Sequence, residues 1–243
     1  MIATCARQQV LTVPASSVDD LFSRAAFHDD LRNTMPSVMA ALKEGRFVDR
    51  DRAECDQGLK QIVACAVLRH EDEVMCLRRS RHSNRANLRM KYTLMVGGHV
   101  DRADEVDRFP PRHCVRREIR EELGIDVGST IKLLGVVSDP LSYSGWLHLG
   151  VVFEAFLPSD TIELSKQLDS TEFVNSGRRH AVRTTVITRL TDIHDRLDPW
   201  SRLFCESRTF CNRYRRVGQF RSSSQLLLDF RSTEQNGPSV KPT

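Results

Sequence analysis

The chain has 243 residues, 40% of them hydrophobic and 28% charged, with a formal net charge of +4. Its length allows one substantial core with extensions or two small ones, and its composition is that of an ordinary folded protein. No apolar run approaches the ~20 residues of a membrane-spanning helix, and the start MIATCARQQVLTVPASS lacks the basic segment and long apolar stretch of a secretory signal. Seven cysteines (5, 55, 65, 76, 114, 205, 211) are odd in number, scattered and without a C-x-x-C pair. That pattern fits reduced thiols in a cytoplasm and argues against a disulfide framework or a zinc site. Residues 201–243 carry eight Lys or Arg against three acids, a local charge of +5, so the other 200 residues stand near neutrality at −1.

In chain order, residues 14–56 read as a polar, helical docking extension. Ser17-Val18-Asp19-Asp20 can cap a helix through Leu21, Phe22, Ala25 and Phe27, and Met35-Pro36-Ser37 can start a second one ending at Gly45. Gln61–Leu68 is an eight-residue, mostly apolar run that predicts a buried strand, with Val74–Leu77 as its hairpin partner. From Arg78 to Lys91 there are seven Lys, Arg or His residues and no acid, either a solvated loop or a set of cations facing substrate phosphates. Arg79, Arg81 and Lys91 are the candidate phosphate contacts. Tyr92–Val96 predicts the strand that delivers Gly97-Gly98, where a missing side chain lets backbone approach a bound ion or phosphate.

The stretch GGHVDRADEVDRFPPRHCVRREIREELGI, residues 97–125, organises the rest. Pro110 and Pro111 suit a first helical turn and Gly124 a helix stop. Val115, Ile119 and Leu123 recur every four residues and share a buried stripe, which places Glu118, Glu121 and Glu122 on a neighbouring arc. An isolated acidic pair on a helix is usually only a solvated face. Five fixed types in R-E-x-x-E-E-x-G arise by accident about once in a few thousand such chains.

Further on, Thr130–Ser138 and Trp146–Phe156 predict two strands joined by turns at Asp139-Pro140 and Ser144-Gly145, with His148 alternating with Trp146 and Gly150 on one face. Residues 157–182 are polar and loop-like, Thr184–Leu197 has apolar residues at helical spacing, and a short segment follows at Trp200–Cys205. Beyond Glu206 the composition is Ser/Arg-rich and predicts partial disorder.

Arg117-Glu118-Ile119 with Glu121-Glu122-Leu123-Gly124-Ile125 resembles the second half of the Nudix box, G-x5-E-x7-R-E-U-x-E-E-x-G-U, where U is a bulky aliphatic. Gly97-Gly98-His99-Val100-Asp101 resembles its opening. The box places fourteen positions between its glycine and its arginine, whereas Gly98 and Arg117 are nineteen apart in number, so about five residues are inserted in the loop 101–112. The first glutamate of the box consequently has two candidates here, Asp104 at the glycine-based offset and Glu105 beside it. Lys60-Gln61-Ile62-Val63, His148-Leu-Gly-Val-Val-Phe and Trp200-Ser201 are similar to stretches of a bacterial and phage subgroup of these proteins, and the likeness spans roughly residues 47–203.

The resemblance implies an α/β/α sandwich with a mixed, curved sheet over residues 58–205, flanked by an N-terminal helical extension (1–57) and a basic tail (206–243). It implies Mg²⁺-dependent hydrolysis of a diphosphate linkage in a nucleoside diphosphate derivative, with Mn²⁺ as a substitute. Glu118 and Glu122 become principal metal ligands, Glu121 a further ligand or water-holder, Gly98 a carbonyl ligand, and Arg117 the residue that orients the glutamates. Mg²⁺ is a hard ion held by a few carboxylates and substrate phosphates, which suits that donor set. His148 is a candidate substrate contact. The general base is open between Glu118, Glu121 and a carboxylate of the following loop (Glu163, Asp169 or Glu172). Two other readings stand beside this one. A Nudix-fold module can sense a nucleotide or bind a partner without turnover, and the tail 207–243 can contact nucleic acid through Phe210, Tyr214 and Phe220. A homodimer is compatible with the sequence.

Overall fold

The computed structural model describes residues 8–70, 73–74, 76–79, 91–106, 108–124, 126–128, 131–156, 182–183 and 194–213. The strands are β1 (Gln9–Pro14), β2 (Ala26–His28), β3 (Arg46–Asp49), β4 (Leu59–His70), β5 (Glu73–Val74), β6 (Leu77–Arg79), β7 (Tyr92–Thr93), β8 (Met95–His99), β9 (Ile131–Ser138), β10 (His148–Phe156) and β11 (Val182–Arg183). The helices are α1 (Leu31–Glu44), α2 (Arg50–Ala53), α3 (Pro110–Leu123), α4 (Tyr143–Trp146), α5 (Pro199–Cys205) and α6 (Arg208–Arg213).

β4 is the axis of an eight-stranded mixed sheet ordered β2-β9-β10-β4-β1-β3, with β5 and β8 also paired to β4. It is apolar on both faces because both are covered. Ile62, Ala64, Ala66 and Leu68 enter one core, and Cys65 and Val67 the other. β10 runs parallel to β4 along one edge, from His148 opposite Gln61 to Phe156 opposite Arg69. The other edge is shared in relay: β1 takes Leu59–Gln61 and β8 takes Val63–Val67, both antiparallel. Val38 and Ala41 of α1, and Cys114, Val115, Ile119 and Leu123 of α3, pack on the first core, while Phe204 of α5 packs on the second. Helices therefore cover both faces, the expected α/β/α arrangement. A separate three-stranded sheet, β11-β6-β7, lies off this one.

The helical expectation for residues 14–56 holds for α1 and the single turn α2. The rest of that segment differs. Val10–Val13 alternate into the main sheet, Ala15–Ser17 and Asp19–Phe22 form 3-10 turns, and Ala26–His28 is a strand. The cause is tertiary: β2 caps the outer edge of β9, where Phe27 pairs with Val137, and β1 supplies the partner that β4 lacks beyond the end of β8. α1 also starts earlier than Pro36 suggests, with Thr34 N–H donating to the Asp30 carbonyl at 2.9 Å and Pro36 inside the helix. Burial of Thr34, Val38 and Ala41 outweighs the lost proline N–H.

Two strand expectations are also revised. Trp146 belongs to α4, because Ser142 caps that turn by accepting from Gly145 N–H and the strand begins only at His148. The run Tyr92–Val96 is broken at Leu94, whose N–H donates to Ser201 Oγ at 2.9 Å instead of to a sheet neighbour. The predicted helical pattern of residues 184–197 and most of the tail lie outside the described residues. No described helix is long and apolar enough to cross a membrane.

Lys60 fastens the N-terminal segment to this frame. Only 1% exposed, its Nζ donates to the Trp146 carbonyl at 2.7 Å and lies 3.9 Å and 4.5 Å from the centroids of the Trp146 and Phe22 rings. A cation buried this deeply is tolerated because its protons meet a carbonyl and two aromatic faces. Deleting residues 1–49 removes three strands of the sheet together with Phe22. We expect the shortened chain to lack a cooperative thermal transition by circular dichroism, whereas removal of a merely docked extension leaves the transition in place.

Candidate functional site

α3 is the positioning element. Pro110 and Pro111 open it, and Gly124 closes it in the left-handed conformation at φ 70°. Val115, Ile119 and Leu123 are fully buried, so the helix is fixed against the sheet and its acidic arc is fixed with it. That arc faces the end of β8. A Cβ added to Gly98 meets Glu118 Oε1 at 2.3 Å, so the Glu118 carboxylate occupies the space that any other residue at position 98 fills.

Arg117 gathers the acids. Its Nε and Nη2 donate to the two oxygens of Asp104 at 3.0 and 2.8 Å, a bidentate fork. Nη1 donates to Glu118 Oε1 at 2.8 Å and to Glu121 Oε2 at 3.4 Å, and Nη2 also reaches the His99 carbonyl at 3.2 Å. Asp101 stands 3.7 Å away. Burial alone favours a neutral guanidine, but the Asp104 hydrogen bonds and the surrounding acids outweigh it and hold Arg117 protonated well above the ordinary guanidinium range.

Of the two acids the sequence offers for the opening of the motif, Asp104 is the one that meets Arg117. It is 2% exposed and sits in a 3-10 turn (Arg102–Asp104) closed by a capping box. There Asp101 accepts from Ala103 N–H, and Asp104 accepts from Asp101 N–H. Glu105 instead pairs with Arg102 on the surface at 3.5 Å. The turn returns the lengthened loop to the position where its carboxylate reaches the helix.

The three glutamates differ in exposure. The side chain of Glu118 is 15% exposed and that of Glu121 43%, while Glu122 as a residue is 9% exposed. Burial raises the Glu118 carboxyl above its ordinary value, the Arg117 charge and hydrogen bond pull it down, and Glu121 and Asp104 push it up again, with a net rise. Cys114 lies beneath, its Sγ donating to the carbonyls of His99 at 3.3 Å and Gly98 at 3.5 Å, with burial and then Asp104 and Glu118 raising the thiol far above its ordinary value. Among the described residues, no three His, Cys, Asp or Glu side chains converge as a ready-made cation site. The donor set is nevertheless one a hard cation uses: Arg117 engages a single oxygen of Glu118 and of Glu121, and Gly98 supplies a cradle without a side chain.

The expected phosphate contacts are less concentrated. Lys91 is half-buried just before β7, and the backbone of Arg79 lies at the end of β6, one step beyond the Arg78–Tyr92 pair of the small sheet. Arg81 and the carboxylates of the 157–172 loop lie outside the described residues. His148 is 4% exposed, and its Nε2 lies 3.1 Å from His99 Nε2. Its Nδ1 bonds the Ser144 carbonyl, which can only accept, so Nδ1 carries the proton. In the neutral ring Nε2 is then the acceptor, and His99 Nε2 is the donor. Sequence reasoning singled out His148 but not this pairing, because the two histidines are 49 positions apart.

The NUDIX domain profile matches residues 59–200 of this chain. Protein YmaB of Bacillus subtilis (strain 168) is 26% identical over 206 residues, covering 80% of this chain and 94% of YmaB. Among solved structures, Tm1382, a candidate Nudix hydrolase, is 20% identical with a TM-score of 0.61, and the match covers 82% of this chain and 97% of Tm1382. That likeness shows a common fold. With the profile spanning more than half of its length, the chain belongs to the Nudix family.

Proposed function

We propose that the chain hydrolyses the diphosphate linkage of a nucleoside diphosphate derivative, using Mg²⁺, or Mn²⁺ in its place, held at the acidic turn of α3. The observation that carries this reading is the Glu118 carboxylate, desolvated and pressed against Gly98, with a guanidinium beside it that uses only one of its oxygens. Glu118 and Glu122, one turn apart, serve as the principal ligands, with Glu121 and the Gly98 carbonyl completing the protein's share. Held by these residues, a divalent cation would supply Lewis acidity toward a phosphoryl oxygen and a water. Arg117 keeps the ligands in place through its anchorage on Asp104, and Arg79, Arg81 and Lys91 are the proposed contacts for the substrate phosphates. A second reading, a Nudix-fold binding module without turnover, is favoured by one observation: Arg117 already bridges Glu118 and Glu121. A hydrolysis screen with Mg²⁺ over nucleoside diphosphate derivatives, dinucleoside polyphosphates and nucleoside triphosphates decides between them by whether product forms.

Glu122→Gln is expected to lower the metal-dependent rate by more than the roughly 10–100-fold typical of residues behind the ligands. Near-normal turnover removes Glu122 from the ligand set. Mg²⁺ is expected to raise the melting temperature of the wild type but not of Glu118→Gln, because an ion bound only by the native state stabilises it. Burial favours the protonated form of Glu118, so protons compete with the ion at a higher pH than for an ordinary carboxylate. The Mg²⁺-induced shift should therefore begin to shrink while the pH is still above the usual glutamate range, and a shift that is flat down to that range refutes the assignment.

Asp104→Asn leaves Arg117 without its buried counter-charge. We expect a loss of about 2–3 kcal/mol of stability, below the full value for a broken buried pair because Arg117 is partly exposed, together with a fall in kcat. Glu105→Gln should leave both unchanged; the reverse pattern in denaturant titration and kinetics assigns the role to Glu105.

A further inference from the structure

On the sheet face away from α3, the structure holds a polar group that the proposed chemistry does not use. Gly98 faces Glu118 and Ile62 and Leu149 enter the core under α3, so alternation turns Gln61, Val63, His99 and His148 to the opposite face. Gln61 is 0% exposed, yet neither its Nε2 nor its Oε1 has a hydrogen-bond partner. Thr12, opposite Gln61 on β1, directs its hydroxyl to the Arg46 carbonyl and His148, opposite on β10, directs Nε2 to His99. Leaving both ends of a buried amide unpaired costs as much as several ordinary hydrogen bonds contribute, and a fold keeps such a group where a ligand or water completes it.

The same face opens beside it. From Leu59 to Leu68 every residue of β4 is buried except Val63, two positions along on the side of Gln61. Val63 lies between His99 on β8 and Gly150 on β10. Gly150 is where the Trp200 indole rests, since a Cβ there meets Trp200 Cζ3 at 2.7 Å. Val63, His99 and Trp200 are thus partly exposed on this face, an aliphatic group, an imidazole and an indole, and the buried Gln61 amide lies next along the strand. His99 directly follows Gly98, so this patch and the acidic turn share one end of β8.

We propose that this partly exposed patch receives the base of the nucleotide substrate, with the Gln61 amide uncovered on binding and pairing to the donor–acceptor edge of the base. The proposal rests on the reading of the chain as acting on nucleoside diphosphate derivatives. A primary amide presents one donor and one acceptor side by side, the pattern it uses in bidentate contacts to adenine, and the other bases carry comparable edges. The indole and the imidazole supply the ring contacts that favour an aromatic ligand.

The test is equilibrium binding of AMP, GMP, CMP and UMP, which contain no diphosphate linkage, with ribose 5-phosphate as the ligand lacking a base. At least one monophosphate is expected to bind the wild type at least tenfold more tightly than ribose 5-phosphate. Gln61→Leu is expected to reduce that affinity by about 10–100-fold, the range for a lost bidentate base contact, while raising the melting temperature of the unliganded protein by a few degrees, because it removes an unpaired buried amide. Gln61→Glu, which keeps the shape but replaces the donor, should change which base is preferred, and it keeps the test available if the leucine variant does not fold. Binding is measured without a divalent ion, so failure of the catalytic reading and failure of base recognition are read separately. Monophosphates that bind no better than ribose 5-phosphate, or full affinity in Gln61→Leu, overturn the proposal.

Discussion

One guanidinium sets the geometry of the acidic site. Without Arg117, four acids (Asp101, Asp104, Glu118 and Glu121) crowd the junction of β8 and α3 with nothing to order them. With it, each takes a defined place on a planar fork, and the backbone of the strand is tied in through the His99 carbonyl. The arrangement is directional. Asp104 takes the Nε–Nη2 edge bidentately, so the remaining nitrogen points to the glutamates. A lysine offers a single point of charge and cannot divide its donors in that way. The core beneath α3 then converts local order into a fixed position: Cys114, Val115, Ile119 and Leu123 are wholly buried, so the helix cannot roll without opening the first hydrophobic layer.

The two faces of the sheet divide their roles. Under α3 the strands carry aliphatic residues and one glycine, Gly98, that lets an acidic side chain come close. On the other face the same strands carry Gln61, His99 and His148. Period-two alternation places these sets on opposite sides, and β8 supplies adjacent residues to both, Gly98 to one and His99 to the other. The sheet thus holds the carboxylates of one face and the polar side chains of the other in register without a loop setting their separation.

Much of this arrangement is legible in the sequence where the pattern is local. The strand at Gln61–Leu68, the strand before Gly97-Gly98 and the helix ending at Gly124 follow from apolar periodicity and from proline and glycine placement, and the fold class follows from the Nudix resemblance. The N-terminal strands are not legible in the same way. Ala26–His28 is too short to show alternation and is a strand only because β9 has an edge to offer, and the Ser17–Phe22 stretch has the spacing of a helix but closes into 3-10 turns around Lys60. Asp104 was one of two options at a one-residue difference. Only the turn that buries it distinguishes it from Glu105, since both have the same charge and nearly the same reach. Gln61 is legible only as part of the Lys60–Val63 stretch that the resemblance covers, and nothing in that stretch singles out its amide, because an amide looks like a strand-edge polar residue until its surroundings are known.

The 3-10 turn at Arg102–Asp104 has a consequence for how such proteins are recognised. The contact between Asp104 and Arg117 closes here across the inserted residues because the turn brings the acid back to the helix. In this chain, therefore, the acid and the guanidinium meet without the spacing of the Nudix box. Loops can lengthen at 105–109 by drift, and acquire contacts of their own, while the meeting of charges that defines the motif in space survives intact.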